Sequence, residues 1–377
     1  MKFLHTADWH IGRKLNGFSL LEEQKAAFDS LMQIAQTEEV DAIIIAGDLY
    51  DRTVPSVEAV GLFHQMMIEM NMTAKLPVFA ISGNHDSRVR LEVGAPWLKS
   101  TQFYLHTQLE QAFEPIDYQS CQLYLLPYFE PFHARAYFGR DDIRTIEQAM
   151  TLVIDKIKQT FDPTKKHLLV THFFVQGALK SDTETPLEVG GLDNVPANLF
   201  AEFDYVALGH LHYFNAIRKL ETIKYSGALL KYSLSECGQE KGVRLVEIGD
   251  EVTSRFIPIS PIRDVVHLTG QLGELLDPDF YQAINREDYI GITLTDTAVV
   301  DDSLGQLRAV YPRLISLERA VKSPTDNEVA ELTITDVSQL NPEHLTKQYF
   351  ETMTDKILTV QQEAWLSDAI SQTLKER

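Results

Sequence analysis

Five short apolar runs, each followed at once by Asp, Asn or His, constrain this chain more than any other feature. Phe3-Leu4 leads to Asp8-Trp9-His10, Ala42 to Ala46 leads to Gly47-Asp48-Leu49-Tyr50-Asp51, and Val78 to Ile81 leads to Gly83-Asn84-His85-Asp86. Leu168 to Val170 leads to Thr171-His172, and Val206-Ala207-Leu208 stops at Gly209 ahead of His210 and His212. Runs of that length and composition predict buried strands. In an open α/β sheet ligands gather beyond the carboxyl ends of the strands, so five such ends aim their polar side chains into one place. A single histidine behind a strand is usually a hydrogen-bonded loop residue, and an Asp-Gly-type strand end is usually a turn. The joint pattern is different, because chance turn chemistry has no reason to put metal-ligating side chains at five strand ends.

The crossovers between those strands are helical by pattern. Ser19-Leu20-Leu21-Glu22 has the form of a capping box, and Leu21, Phe28, Leu31, Met32 and Ala35 follow at helical spacing. A second helix is expected from Pro55-Ser56 to about Met72. It is apolar over more than one stripe, which fits either a core helix with flexible filler or a helix with one face on the sheet and another on a second protomer. Residues 88–98 are expected to add a second helix to such an interface. Leu123 to Leu126 reads as a strand, Ile143 to Thr160 as a helix, and the polar stretch Gln176 to Gly191 as a long loop beside the site.

After His212 the pattern turns to strands at Ala216 to Arg218, Ile223 to Tyr225, Gly242 to Ile248 and Thr253 to Ile257, with a hinge at Pro258 and Pro261. Val265 to Leu268, Tyr289 to Leu294 and Leu314 to Leu317 are strand candidates around a helix Ser303 to Val310, a small α+β domain. The tail opens at Asn341-Pro342 with a helix carrying Leu345, Tyr349, Phe350 and Met353, turns at Thr354-Asp355-Lys356, and continues with Val360, Ala364, Trp365, Ala369 and Leu374. Two helices of that size cannot build a core and must dock elsewhere. The expected layout is therefore 1–257, 262–340 and 341–377. The fold class is α/β, a two-sheet sandwich flanked by helices, with a smaller α+β capping domain and a C-terminal helical hairpin.

The chain reaches charged residues at once and has no apolar run of membrane-spanning length, so a cytoplasmic protein without a membrane partner is expected. Cys121 and Cys237 stand in no metal-binding spacing. A net charge of -20 weighs superficially against a nucleic-acid partner. Bound divalent cations offset that locally, and Arg13-Lys14, Arg88 with Arg90, and Lys165-Lys166 could still line a groove.

Read together, the five loops resemble the calcineurin-like metallophosphoesterases, whose pattern is Asp-x-His, Gly-Asp, Gly-Asn-His-Asp or Glu, His, and Gly-His-x-His. More narrowly, His5 to His10, Asp204 to His212, Tyr225 to Leu229, Lys231-Tyr232-Ser233 and the helical tail resemble the bacterial SbcD-type nuclease subunits. The resemblance implies that Asp8, His10, Asp48 and His212 hold one metal, that Asp48, Asn84, His172 and His210 hold the other, and that Asp48 bridges them. Imidazole with carboxylate and amide oxygen suits a borderline ion such as Mn²⁺, whereas Mg²⁺ favours oxygen. His85 would face the phosphate and protonate or stabilise the departing 3′ oxygen, or else position a neighbour. Asp51 stands where some relatives carry histidine, and with Asp86 it is expected to orient a ligand or His85.

That family implies DNA end processing in repair, recombination and replication. Its activities would be 3′ to 5′ exonuclease action on duplexes and endonuclease cleavage of single strands and hairpins. It also implies a nucleoid-associated homodimer within a heterotetramer, completed by an SbcC-type ATPase of the structural-maintenance class bound at the tail. The alternatives are a phosphoesterase for small phosphodiesters or phosphoproteins, and a metal-free scaffold.

Overall fold

The protein is described by a computed structural model that covers residues 1–178, 194–296, 302–320 and 357–375, with a few positions between 343 and 351. Its strands are β1 (Lys2–Thr6), β2 (Lys14–Leu15), β3 (Phe18–Ser19), β4 (Ala42–Ala46), β5 (Val78–Ile81), β6 (Phe103–His106), β7 (Ile116–Tyr118) and β8 (Cys121–Leu126). They continue with β9 (Lys166–His172), β10 (Tyr205–Gly209), β11 (Ile223–Tyr225), β12 (Gly242–Ile248), β13 (Val252–Pro258), β14 (Val265–Gly270), β15 (Tyr289–Leu294) and β16 (Leu314–Arg319).

Two sheets make the larger part. One has the order β13-β12-β1-β4-β5-β6, the other β11-β10-β9-β8-β7. β1, β4, β5 and β6 run parallel, as do β8, β9, β10 and β11, and the antiparallel partners β12, β13 and β7 lie towards the edges. Side-chain alternation then decides the packing. Ala42, Ile44 and Ala46 of β4 face inward with Phe3, Phe79, Leu123, Leu125, Leu168, Val170 and Ala207, forming the layer between the sheets. Ile43 and Ile45 point the other way, onto Phe28, Leu31, Phe63 and Met66. Leu169, Val206 and Leu208 likewise pack on Met150, Val153, Ile154 and Ile157. Strands covered on both faces read as continuous apolar runs, and each buried Ile or Leu contributes about 1.5–3 kcal/mol.

The flanking helices follow from their caps and stripes. Leu21–Thr37 and Val57–Met67 cover the first sheet, and Ile146–Lys158 covers the second. Ser56 accepts from the Ala59 N–H, and Thr145 forms a capping box with Gln148, each cap worth about 1 kcal/mol.

Three sequence expectations need correction, and a fourth, the second helix, keeps its expected extent but changes type near its end. Ser19 caps nothing, because it lies in β3 opposite Lys14, and the helix after it starts at Leu20 without a side-chain cap. Glu22 is engaged by Arg263 instead. The second helix ends its α-helical part at Met67 and finishes in a π turn, Ile68–Thr73. Residues 88–98 are not one helix: Gly94, at φ 92°, separates Arg88–Glu92 from Ala95–Leu98. Ala216 to Arg218 is a turn, with the Ala216 N–H bonded to the Tyr213 carbonyl and its apolar side chains sunk into the second sheet's helical layer.

Residues 1–318 form one compact unit. Within it β14, β15 and β16 make a third sheet, whose core is Leu272, Leu275, Ile290, Ile292, Leu294, Leu307, Tyr311 and Leu314 around the helix Ser303–Val310. This sheet is held to the larger part by apolar packing of Val265, Tyr289 and Ile315 and by charge and hydrogen bonds. Arg263 reaches Glu22 and Glu23, the Tyr289 hydroxyl donates to Glu23, and Lys231 pairs with Asp264 at 2.7 Å. Residues 319–377 form a second unit, in which the helix Val360–Lys375 is described. The start of the tail at Asn341-Pro342, its turn at residues 354–356, and most of the loop from Gln176 to Gly191 lie outside the described residues.

Candidate metal centre

β4, β5 and β10 end where the sequence placed them, β1 runs on to Thr6 and β9 carries His172 as its last residue, and the loops behind these strands interlock. The Asp8 N–H donates to the Gly47 carbonyl and the His10 N–H to the Asp48 carbonyl, which ties the first loop to the second. Asp8, His10, Asp48 and His210 all adopt positive φ, between 45° and 97°. Asp and His tolerate that region better than most residues, and such strain gathers where function needs a particular side-chain direction. Two glycines let the loops close. A Cβ on Gly83 would overlap the Asp48 carboxylate, and one on Gly209 would overlap the Ala46 carbonyl oxygen.

The structure brings all seven expected ligand residues together. Asp48 Oδ2 lies 3.3 Å from His172 Nε2 and 3.6 Å from His10 Nε2, so one carboxylate stands between two imidazoles. Asn84 Oδ1 lies 3.0 Å from His172 Nε2 and 3.2 Å from His210 Nδ1. On the other side, the Nε2 atoms of His10 and His212 are 3.1 Å apart. Ligand atoms of Asp8, His10 and His212 lie within 4.8 Å of one another, as do those of Asp8, Asp48 and His172. Two adjoining donor clusters result, each mixing oxygen and imidazole nitrogen.

Burial and charge make these groups fit cations. Burial drives His10 well below the usual imidazole range and His210 down to about 3, so both rings keep their lone pairs. Burial opposes charge at Asp48, yet His172 and His10 hold its carboxyl well below the ordinary range. His172 rises to about 9 because Asp48 outweighs the burial that disfavours its charge. Burial, with Asp48 close by, pushes Asp8 and Asp86 up to about 6. Buried carboxylates beside the unprotonated rings of His10 and His210 are costly without positive charge; a proton on His172 supplies part of it, and divalent cations would supply more. His10 Nδ1, buried and without a hydrogen-bond partner, marks the same imbalance.

His85 and Asp51 sit at the edge of the cluster. His85 Nδ1 donates to the Asp51 carbonyl at 3.0 Å, its backbone N–H donates to Asp48 at 2.9 Å, and its ring meets that of His10 edge-on. The Asp51 side chain pairs with Arg13 and lies 3.9 Å from His10 Nδ1. Asp86 works on backbone: its carboxylate accepts from the N–H groups of Leu49, Tyr50 and Gly83, lacing the second and third loops together around Asp48.

A family profile described as calcineurin-like phosphoesterase matches residues 1–214. The chain belongs to the calcineurin-like phosphoesterases. A second profile, described as the type 5 capsule protein repressor C-terminal domain, matches residues 261–354. The SbcD component of the SbcCD nuclease from Staphylococcus epidermidis is 34% identical over 361 residues, covering 95% of each chain. This calcineurin-like phosphoesterase is thus of the SbcD nuclease type, a metal-dependent phosphodiester hydrolase. A dimetal phosphatase from Danio rerio is a distant structural neighbour, 10% identical, with a TM-score of 0.41 over 70% of this chain and 98% of its own. Among the described residues no helix is long and apolar enough to cross a membrane.

Sequence reasoning missed the supports behind this phosphoesterase's histidines. His172 Nδ1 donates to the Ala46 carbonyl at 2.8 Å, which turns Nε2 towards Asn84 and Asp48. His212 Nδ1 donates to Glu236 at 3.2 Å, and Glu236 is paired with Lys241 at 2.6 Å. Burial opposes the charge on Glu236, but Lys241 and His212 hold its carboxyl well below the usual range. No local signal marks these partners, because a backbone carbonyl has no letter and Glu236 lies 24 residues from its histidine.

Proposed function

We propose that this protein is a two-cation DNA nuclease, and the convergence of Asp8, His10, Asp48, Asn84, His172, His210 and His212 behind five strands carries that reading. Asp8, His10, Asp48 and His212 would hold one cation, Asp48, Asn84, His172 and His210 the other, with Asp48 between them. The oxygen and imidazole donor set suits a divalent transition ion such as Mn²⁺. The chemistry such a pair would supply is a hydroxide nucleophile near neutral pH and neutralisation of the phosphodiester charge. His85, oriented by the Asp51 carbonyl, would deliver a proton to the departing 3′ oxygen. Asp51, through Arg13 and His10, would hold the first loop against that ring.

The relative's name supports a partner ATPase of the SbcC type. In this reading residues 1–257 carry the chemistry, 262–340 cap it and contact DNA, and 341–377 bind the ATPase. The protein would act on duplex ends, single strands and hairpins at the nucleoid. A second copy of this chain would cover the exposed Val57, Val60, Val89, Val93 and Trp97, of which Val60 and Val93 line a cavity of about 310 Å³ together with Phe63, Met67 and Leu98.

Incubation with linear duplex and hairpin DNA in Mn²⁺, beside the same assay with a small phosphodiester, tests the reading. Cleavage of both DNAs that is lost in Asp48→Ala is expected. Turnover of the small ester with neither DNA cut would overturn it in favour of a small-molecule phosphoesterase.

A further inference from the structure

We propose that the buried pair Glu236 and Lys241 is a positioning device for His212, which makes one of the two cation sites depend on a carboxylate and leaves the other independent of it. The inference rests on the two-cation reading above.

The pair is deep in the protein: Glu236 has no exposed surface and Lys241 retains 5%. A buried ion pair is a poor source of stability, since desolvation cancels much of the attraction. Its bonds point to another role, because they grip His212 at both ends. Glu236 Oε1 accepts from Nδ1 of the ring at 3.2 Å, while Lys241 Nζ donates to the His212 carbonyl at 2.8 Å. Glu236 Oε2 takes the ammonium at 2.6 Å and the Tyr232 N–H at 3.3 Å.

Tyr232 extends the support to the neighbouring histidine. Its hydroxyl donates to the Trp9 carbonyl at 2.5 Å, and its ring meets those of His10 and His212 edge-on at 5.4 and 5.6 Å. One loop therefore sets both imidazoles whose Nε2 atoms face each other.

The chemistry follows from the tautomer. With Nδ1–H committed to a carboxylate, His212 presents only the Nε2 lone pair to the site, and the negative partner makes that nitrogen a stronger donor to a cation. His172 donates to a neutral backbone carbonyl instead. Loss of the acid should therefore weaken the cation held by Asp8, His10 and His212 and spare the one held beside Asn84.

Mn²⁺ titrated into the full chain, followed by calorimetry and by the spin-coupled paramagnetic resonance of paired ions, reads this directly. Glu236→Met should weaken one of the two ions by about 10–100-fold and leave the other as in wild type. Glu236→Gln keeps an accepting oxygen and should weaken the same ion less. A purely structural role would lower thermal stability without selecting between ions. A folded Glu236→Met that binds both ions normally, or weakens both equally, would overturn the proposal.

Should that variant fail to fold, the double change Glu236→Gln with Lys241→Met, which leaves no lone buried charge, is read by the same criteria. Histidine ¹⁵N spectra of Zn²⁺-loaded wild type need no variant: Nδ1–H with ligating Nε2 at His212 is expected, and the reverse overturns the inference. A wild-type count below two ions would show that the two-cation reading itself had failed.

Discussion

The Nε2 atoms of His10 and His212, 202 positions apart in sequence, meet 3.1 Å apart in the interior. Burial holds His10 unprotonated, so its lone pair faces the other ring in a space that a cation can satisfy from both sides. Asp48 Oδ2 reaches the same Nε2 atom of His10 at 3.6 Å and connects it to His172. That chain of contacts organises the expected behaviour below.

Asp48 stands between His10 and His172 and is the carboxylate proposed to bridge the two cations, so replacing it by Ala removes that bridge. Both ions should be lost, and turnover should fall by more than the about 10–100-fold typical of losing an outer support. Elemental analysis of the purified variant alongside a cleavage assay checks this. Retention of two ions would contradict the shared position.

Replacing His85 by Ala should leave two ions in place and lower kcat by about 10²–10⁴-fold, the usual worth of a positioned acid. The loss should shrink on a substrate whose leaving group needs no proton, such as a nitrophenyl ester. An equal loss on both substrates would mean that the ring only positions its neighbours.

Acid should destabilise the fold through two histidines outside the ligand set. Burial lowers His5, which is bonded to the Tyr205 hydroxyl, to about 3, and lowers His106, bonded to the Leu125 carbonyl, to about 4. The unfolded chain binds these protons near pH 6.5 and the folded chain does not. Their contribution is therefore complete above pH 6.5 and is lost as pH falls towards those values, at up to about 1.4 kcal/mol per pH unit for each. Melting scans between pH 7.5 and 4.5 should show Tm falling, with a shallower fall in His106→Gln. Flat Tm across that range would refute the assignment.

Gly209→Ala should cost about 1–3 kcal/mol or more, since the new methyl meets the Ala46 carbonyl, and should disturb His172 at the same time. Gly61→Ala is the matched control. It lies in a helix with nothing near its added methyl and should be neutral or stabilising by about 0.5–1 kcal/mol. Chemical denaturation of both variants measures the difference.

Removing residues 341–377 should abolish co-purification with an ATPase partner and preserve basal Mn²⁺-dependent cleavage. The helix Val360–Lys375 carries exposed Val360 and Trp365, an apolar surface suited to a groove. Undiminished co-purification would reject that role for the tail.

Much of this protein was legible in one dimension because its parallel strands are buried on both faces and so appear as unbroken apolar runs. The polar residues behind Ile81, Val170 and Leu208 mark those runs as strand ends facing a ligand. The elements Tyr289–Leu294 and Ser303–Val310 were equally plain, from apolar runs and helical periodicity. The break at Gly94, the uncapped start at Leu20 and the turn at Ala216 are local backbone features that apolar periodicity does not report. Which atom of each ligand residue faces inward also waited on the fold. The Ala46 carbonyl behind His172 and Glu236 with Lys241 behind His212 come into reach only when the two sheets pack, and Asp86 reaches the loop backbones only when β4 and β5 pair. Local pattern reports what a segment must bury, whereas the direction of a ring is set by whichever remote group takes its other nitrogen.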